Sequence, residues 1–387
     1  MKIGIVLPSV PGYSETFFTS KIKGLQANGF EVVLFVNNFS INTSLNCEII
    51  AAPKFSNSKI KTSLLSFFSF LRVVIFHFSK VKKLFELDKK DNLSLSKRIR
   101  SIIINSHILS QKVDWLHFGF GTMALDRENV AEAIGAKMAV SFRGFDHYVY
   151  PIKNKECYEI LFSKKIKYHV LSEGMKTDLV KMGIEKEGII KITPAINTEL
   201  FLSEVRNQSG NNFLTVARLH WIKGLDYTLE ALALLNEQGI DFTYTVIGDG
   251  VEEERLRFLV HQLGLRDKVV FLGKLDQQEV QQEMQKATYY IQYSLQEGFC
   301  NAVLEAQAMG LICIVSDAEG LSENVIHNET GFVVPKRNPE ILAAKIEEVI
   351  NLSQNEKETM INKAMERIKT NFTLENQLKQ FVDFYKS

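Results

Sequence analysis

Glu297-Gly298-Phe299-Cys300-Asn301-Ala302-Val303-Leu304-Glu305-Ala306-Gln307-Ala308-Met309-Gly310 is the stretch from which the rest of the chain is best read. The residues before it, Thr288 to Ser294, are rich in aromatic and aliphatic side chains and predict a strand or its end. Glu297-Gly298 interrupts that run, and Asn301 is a candidate N-cap. Helix formers continue to Gly310, a natural C-terminal stop. Leu311 to Ser316 then has the unbroken apolar character of a buried strand. The predicted unit is strand, glycine turn, helix, strand.

A turn of this kind presents free backbone N–H groups at the positive end of a helix, which suits a phosphate or pyrophosphate. Glu297 stands before that helix and Glu305 inside it, so both acids can face one cleft from different depths. Carboxylates repel a bound phosphate unless the same ligand also carries hydroxyls for them to hold. A nucleotide-diphosphate sugar meets both demands. An ordinary helix with two solvated acids has the same spacing, so the weight falls on the rest of the chain.

At 387 residues the chain is long for one core and comfortable for two domains. Its net charge of +1 gives no global field toward nucleic acid, and none is expected as a partner. With 45% hydrophobic and 24% charged residues it has the composition of a soluble globular protein. Cys47, Cys157, Cys300 and Cys313 are widely spaced and form no CxxC, the pattern of reduced, mostly buried thiols in a cytoplasmic protein. Met1 to Pro8 is too short an apolar run for a signal peptide and predicts a first parallel strand.

The spacing Glu-x7-Glu, with Gly298-Phe299 after the first acid and Ala306 after the second, resembles the retaining glycosyltransferases of family 4. The resemblance implies a GT-B architecture: an α/β protein of two Rossmann-like domains facing each other across a cleft. It also implies that Glu305 binds the donor ribose, that Glu297 lies against the donor sugar, and that Gly298, Phe299, Cys300 and Asn301 line the donor site. Ala217-Arg218-Leu219-His220-Trp221-Ile222-Lys223-Gly224 matches the family's pair that grips the donor pyrophosphate, through Arg218 and Lys223. A guanidinium fork and an ammonium would neutralise the leaving diphosphate as charge builds on it. Gly248, in the turn Gly248-Asp249-Gly250, and Lys274-Leu275 complete the donor-binding set, the latter beside the nucleotide base.

The N-terminal half carries the resemblance more loosely. Strand one delivers the loop Pro11-Gly12-Tyr13-Ser14-Glu15-Thr16. This loop has one glycine where the family has a pair, but its Ser-Glu-Thr is similar to that of exopolysaccharide transferases of the colanic-acid group. Gly12 and Ser14 are the donor-side candidates there. Val113-Asp114-Trp115-Leu116-His117-Phe118-Gly119 resembles a motif in which Asp-x-x-His-x-His is common, so His117 is expected to contact the sugar or acceptor while Gly119 replaces the second histidine. Ser141-Phe142-Arg143-Gly144-Phe145-Asp146 resembles Thr-x-His-Gly-x-Asp, with Arg143 at the histidine position. Arg143 and Asp146 are expected on the acceptor side.

The expected domains are 1–197 for the acceptor and 198–371 for the nucleotide sugar, with a C-terminal helix within 372–387 returning to the first. Lys59 to Lys83 is densely apolar and aromatic with basic flanks, and Glu86 is the first acid after it. Arg72 interrupts it, and it is too short to span a bilayer. Two readings stand: an interfacial helix touching anionic lipid at the inner face of the plasma membrane, or a core helix covering the N-terminal sheet with lysines snorkelling from its ends.

The expected activity is a metal-independent, cofactor-free transfer from a nucleotide sugar to a saccharide or lipid-linked acceptor, in the cytoplasm. A non-catalytic sugar-nucleotide-binding subunit and a nucleotide-sugar 2-epimerase on the same fold are the alternatives. A nicotinamide enzyme is disfavoured, because no G-x-G-x-x-G follows the first strand.

Overall fold

The near-continuous apolar strands of this chain, each followed by a helix, can bury both faces only as parallel sheets between helical layers. The computed structural model realises this twice. It describes residues 1–12, 16–38, 45–53, 59–201 and 210–387, which divide into two compact units, Met1–Ile192 with Leu378–Ser387, and Thr193–Gln377. The first unit thus ends at Ile192 rather than at 197, and it takes back the chain from Leu378 rather than from 372.

The first unit is a seven-stranded sheet of β1 (Lys2–Ser9), β2 (Glu31–Asn38), β3 (Glu48–Ala51), β4 (Trp115–Phe118), β5 (Lys137–Ser141), β6 (Lys167–Val170) and β7 (Ile189–Lys191). Its order is β3-β2-β1-β4-β5-β6-β7, and the described pairings are parallel. The chain leaves β1 for β2 on one side and returns to β4 on the other. The loops following β1 and β4 therefore diverge at a topological switch point, where sheets of this type open a crevice. The helix Leu374–Lys386 buries Phe381, Val382, Phe384 and Tyr385 in the same core as Ile3, Ile5, Leu34 and Trp115. A C-terminal segment thereby completes an N-terminal unit.

The second unit is a six-stranded parallel sheet of β8 (Asn212–Val216), β9 (Thr243–Ile247), β10 (Val269–Gly273), β11 (Tyr289–Gln292), β12 (Ile312–Ser316) and β13 (Gly331–Val334), in the order β10-β9-β8-β11-β12-β13. Here the switch point lies between β8 and β11. One core is built from Phe213, Leu229, Tyr244, Ile291, Ile314 and Leu342, drawn from the sheet and the helices packed on it. The cysteines Cys47, Cys157, Cys300 and Cys313 are free thiols.

The segment 59–83 forms the helix Lys59–Phe76 and the start of the next, Phe78–Lys90. Its described residues pack against the neighbouring helices and share a hollow with Glu48, Ile50 and Ala51 of β3.

Candidate functional site

The second unit assembles most of the predicted donor-site residues at its switch point. After β8 the chain makes a 3-10 turn, Trp221–Lys223, and Gly224 then enters the helix Leu225–Glu237. Gly224 has φ +60°, and a Cβ there would lie 2.3 Å from the carbonyl oxygen of Tyr293. The loop after β8 can therefore lie against the segment after β11 only because residue 224 is glycine. That close approach brings Lys223 to Glu297, with Nζ 2.5 Å from Oε2 and side chains 16% and 14% exposed. Burial disfavours the Lys223 ammonium, but the Glu297 carboxylate, helped by Cys300, offsets this and holds its pKa above the usual lysine range.

Glu297 is positioned from behind by a line of hydrogen bonds along β11. Tyr290 Oη accepts from the Val216 N–H at 3.2 Å and donates to Gln292 Oε1 at 3.1 Å. Gln292 Nε2 donates to Ser294 Oγ at 2.9 Å, and Ser294 Oγ donates to Glu297 Oε2 at 3.3 Å. Gln292 and Ser294 are fully buried, so the line fixes one carboxylate oxygen from inside the protein. These positions were missed in the sequence, although the alternation Tyr290-x-Gln292-x-Ser294 in an otherwise apolar run was a visible signal.

The helix Asn301–Ala308 begins one residue earlier than an Asn301 cap would require. Cys300 is the N-cap, with no side-chain cap bond, and Asn301 is the first helical residue. The reason lies in Asn324, which was also not anticipated. Its Oδ1 accepts from the Cys300 N–H at 3.0 Å and its Nδ2 donates to the Cys300 carbonyl at 3.0 Å. Gln307 Nε2 and Arg367 both donate to the Asn324 carbonyl, at 3.0 and 2.8 Å. With the turn held from outside the helix, Cys300 makes no side-chain cap bond, and the first-turn N–H groups lack intrahelical acceptors by geometry. Gly320 is required beneath them, since a Cβ there would meet the Gly298 carbonyl at 2.1 Å.

Glu305 is half-buried on this helix, and burial pushes its pKa up to about 7. The Cys300 thiol is pushed up to about 12 by burial and then by the neighbouring Glu297, so it is a packed thiol rather than a nucleophile. Arg218 is exposed after β8; burial and then the nearby Arg218 lower the pKa of His220, and Arg218 also opposes the rise at Lys223. Gly248 has φ +137°, and a Cβ would lie 1.9 Å from the Ala217 carbonyl, so it holds the β9 turn against the Arg218 loop. Lys274 is exposed and Leu275 half-buried just beyond β10. Phe299 is buried and Asn301 half-buried.

The first unit departs from the sequence expectation. His117 is fully buried, with Nδ1 2.5 Å from Tyr385 Oη and Nε2 2.8 Å from Ser141 Oγ. Ser141 Oγ is 2.7 Å from His169 Nδ1, and His169 Nε2 is 3.0 Å from the Ile192 carbonyl. That last bond fixes the directions: His169 donates to Ile192, Ser141 donates to His169, His117 donates to Ser141, and Tyr385 donates to His117. Both rings are neutral. Burial, followed by the nearby Lys21, holds their pKa values well below the ordinary imidazole range. His117 is thus a tie between sheet and C-terminal helix, with no face left for a sugar, which corrects its assignment as a contact residue.

Gly119 and Arg143 are explained together. A Cβ at Gly119 would meet Leu7 Cδ2 at 2.3 Å and Phe18 Cζ at 2.8 Å, so a histidine does not fit there. Arg143 stacks its guanidinium 3.9 Å from the Phe17 ring centroid and donates from Nε to the Gly119 carbonyl at 3.3 Å. Asp146 is buried, its Oδ1 accepting from Thr122 N and Oγ1 at 3.0 and 2.8 Å. Oδ1 thereby staples two loops, while Oδ2 is buried without a hydrogen-bond partner among the described residues. Gly12 is exposed after β1. Ser14 lies outside the described residues.

Residues 197–367 match the family model described as "Glycosyl transferases group 1". The amylovoran biosynthesis glycosyltransferase AmsK of Erwinia amylovora is 28% identical over 280 residues, 69% of this chain and 68% of that protein. The putative colanic acid biosynthesis glycosyltransferase WcaL of Escherichia coli K12 is 27% identical over 266 residues, 66% of each. The matches span about two thirds of the length of these relatives. Among solved structures, Anabaena Alr3699/HepE in complex with UDP and glucose has a TM-score of 0.74 at 16% identity, covering 100% of this chain and 99% of that one. Sucrose-phosphate synthase from Thermosynechococcus elongatus has a TM-score of 0.76 at 17% identity, covering 100% and 98%. At these identities the likeness is one of fold, the GT-B class of two Rossmann-like units.

Proposed function

We propose that this chain is a group 1 glycosyltransferase, a retaining enzyme that transfers a sugar from a nucleotide-diphosphate sugar to an acceptor hydroxyl in the synthesis of a cell-surface polysaccharide. The observation that carries the reading is the Lys223–Glu297 contact at the β8/β11 switch point, next to a helix start whose N-cap residue, Cys300, makes no side-chain cap bond. One end of that arrangement suits a diphosphate and the other a hydroxyl-rich ring.

In this reading Arg218, Lys223 and the first-turn amides of the helix Asn301–Ala308 stabilise the diphosphate as it departs. Lys223 gives one of its three N–H donors to Glu297 and keeps two for phosphate oxygens. Glu297, fixed through Ser294, holds the sugar, and Glu305 holds the ribose. The bond from the anomeric carbon to the diphosphate oxygen breaks, and the acceptor oxygen bonds to that carbon from the same face. The acceptor's proton passes to the departing diphosphate. The exopolysaccharide relatives support a cell-surface product, and the segment 59–83 supports work at the inner face of the plasma membrane on a saccharide or lipid-linked acceptor. The complex of a fold neighbour with UDP and glucose makes uridine diphosphate sugars the first donors to try.

The test is a thermal-shift screen of uridine, guanosine and adenosine diphosphates and their sugars on wild type and Glu305→Ala. A donor at 100-fold excess over its dissociation constant should add about 2.7 kcal/mol of stability, and the mutant should lose the shift. If no nucleotide moves the wild type, the transferase reading fails and a partner-dependent binding subunit replaces it.

A further inference from the structure

The described side chains of the helix Lys59–Phe76 divide into two faces. Ser69 bonds Ser106 at 2.7 Å and Val73 is buried, so one face is packed. Away from that face Phe67 is 59% exposed and Ile75 61%, while Phe68 at 62% and Phe76 at 72% line a hollow beside Ser69 and Val73, and Phe78 beyond them is 63% exposed. Leu95 and Ile99 of the neighbouring helix Leu95–Ile104 are also exposed. Seven large apolar side chains exposed on three neighbouring helices are not the scatter of single residues found on ordinary soluble surfaces.

Charge identifies the occupant. Residues 59–100 contain eleven Lys and Arg against three Asp and Glu, a net +8 in a chain whose total is +1. The three acids are already engaged: Asp88 is buried and bonded to Asn129, Asp91 pairs with Lys164, and Glu86 lies 3.9 Å from Lys82. Lys82, Lys89, Lys97 and Arg100 are exposed. Arg72 is exposed on the helix itself, at the rim of a hollow of about 910 Å³ shared with Phe68 and Phe76. No helix of the described residues is long and apolar enough to cross a membrane. Aromatic side chains on one face with basic residues around them suit the headgroup level of an anionic bilayer, where rings enter the acyl boundary and cations stay among phosphates.

We propose that the exposed apolar surface offered by Phe67, Phe68, Ile75, Phe76 and Phe78, with Leu95 and Ile99 of the neighbouring helix, docks the protein on an anionic lipid surface. This deepens the reading of a membrane-side transferase, but its test does not depend on catalysis. The experiment is co-sedimentation of the full chain with phosphatidylglycerol–phosphatidylcholine vesicles and with pure phosphatidylcholine vesicles, at low and high salt. Nucleotide-induced thermal shifts on the same samples report separately on the donor site.

Binding to the anionic vesicles is expected to fall roughly tenfold or more in Phe67→Ser/Phe68→Ser, and several-fold in Arg72→Glu or in 0.5 M salt. Because these side chains are exposed, both variants should melt as wild type does. Equal binding to both vesicle types, or undiminished binding by the Phe67→Ser/Phe68→Ser variant, overturns the proposal. A dimer in sedimentation velocity that the same variant dissociates, without any vesicle binding, overturns it in favour of a second copy as occupant. Loss of the donor shift with vesicle binding intact sinks the transferase reading alone.

Discussion

Substituting Glu297 by glutamine keeps its shape and a hydrogen-bonding group but leaves Lys223 without the carboxylate 2.5 Å away. The two side chains are 16% and 14% exposed, so water replaces little of the lost charge. Breaking a buried pair from one side costs about 3–5 kcal/mol, and residual solvent contact sets the expectation at the lower end, about 3 kcal/mol. At roughly 2–4 °C per kcal/mol for a unit of this size, the melting temperature should fall by about 6–12 °C. Lys223→Met should cost as much, because it strands Glu297 with the Ser294 hydroxyl. The double variant buries no charge and should be more stable than the sum of the single losses predicts, by about 2–3 kcal/mol.

Circular dichroism melts of the four proteins without nucleotide measure this coupling. Nucleoside diphosphate binding then separates the two roles. It can be read from tryptophan emission, because Trp221 is 50% exposed two residues before Lys223 while Trp115 is 2% exposed. Glu297→Gln frees an ammonium donor and should bind diphosphate at least as tightly as wild type while losing roughly 100-fold or more in transfer rate. Single variants that melt within about 1 °C of wild type, or a double variant at the simple sum, would refute the buried-pair argument.

Glu305 has a folded-state pKa of about 7, above its unfolded value. Between the two the folded state holds the extra proton, so its contribution to stability falls as pH rises toward 7. Donor affinity should move the other way, weakening below about pH 7 as the carboxylate is lost, and Glu305→Gln should flatten that profile in a titration calorimeter. His117 and His169 have depressed pKa values, so the unfolded chain takes up protons first as pH falls. Stability should decline below about pH 6.5, and less steeply in His169→Gln, as followed by denaturant melts. Tyr385→Phe should cost about 1–2 kcal/mol while leaving turnover per folded molecule unchanged, since the Tyr385–His117 bond is structural. Restoring the family's histidine with Gly119→His should destabilise rather than activate, by at least about 1–3 kcal/mol, because Leu7 and Phe18 occupy the space; a melt and a transfer assay decide it.

Much of this protein could be read along the chain because the underlying rules are local. Unbroken apolar strands alternating with helices require parallel sheets, and positive-φ glycines such as Gly224 and Gly248 mark the turns that close on neighbouring backbone. That Arg218, Lys223, Glu297 and Glu305 follow neighbouring strands was legible because strand order places the segments after β8 and β11 together at a switch point. What was not legible depends on partners far apart in sequence. His117 reads as a strand-end histidine until Tyr385, 268 residues away, occupies its ring. Asn301 reads as a cap until Asn324 takes over the Cys300 turn. Gly119 and Arg143 read as two losses until the Phe17–Phe18 surface shows them as one packing solution. The segment after Lys59 announces an apolar, basic helix, but which of its faces is covered follows from Ser106 and the helices beside it. Periodicity and turn chemistry fix what each segment is; burial, and the hydrogen bond that each buried polar atom must find, fix what it touches.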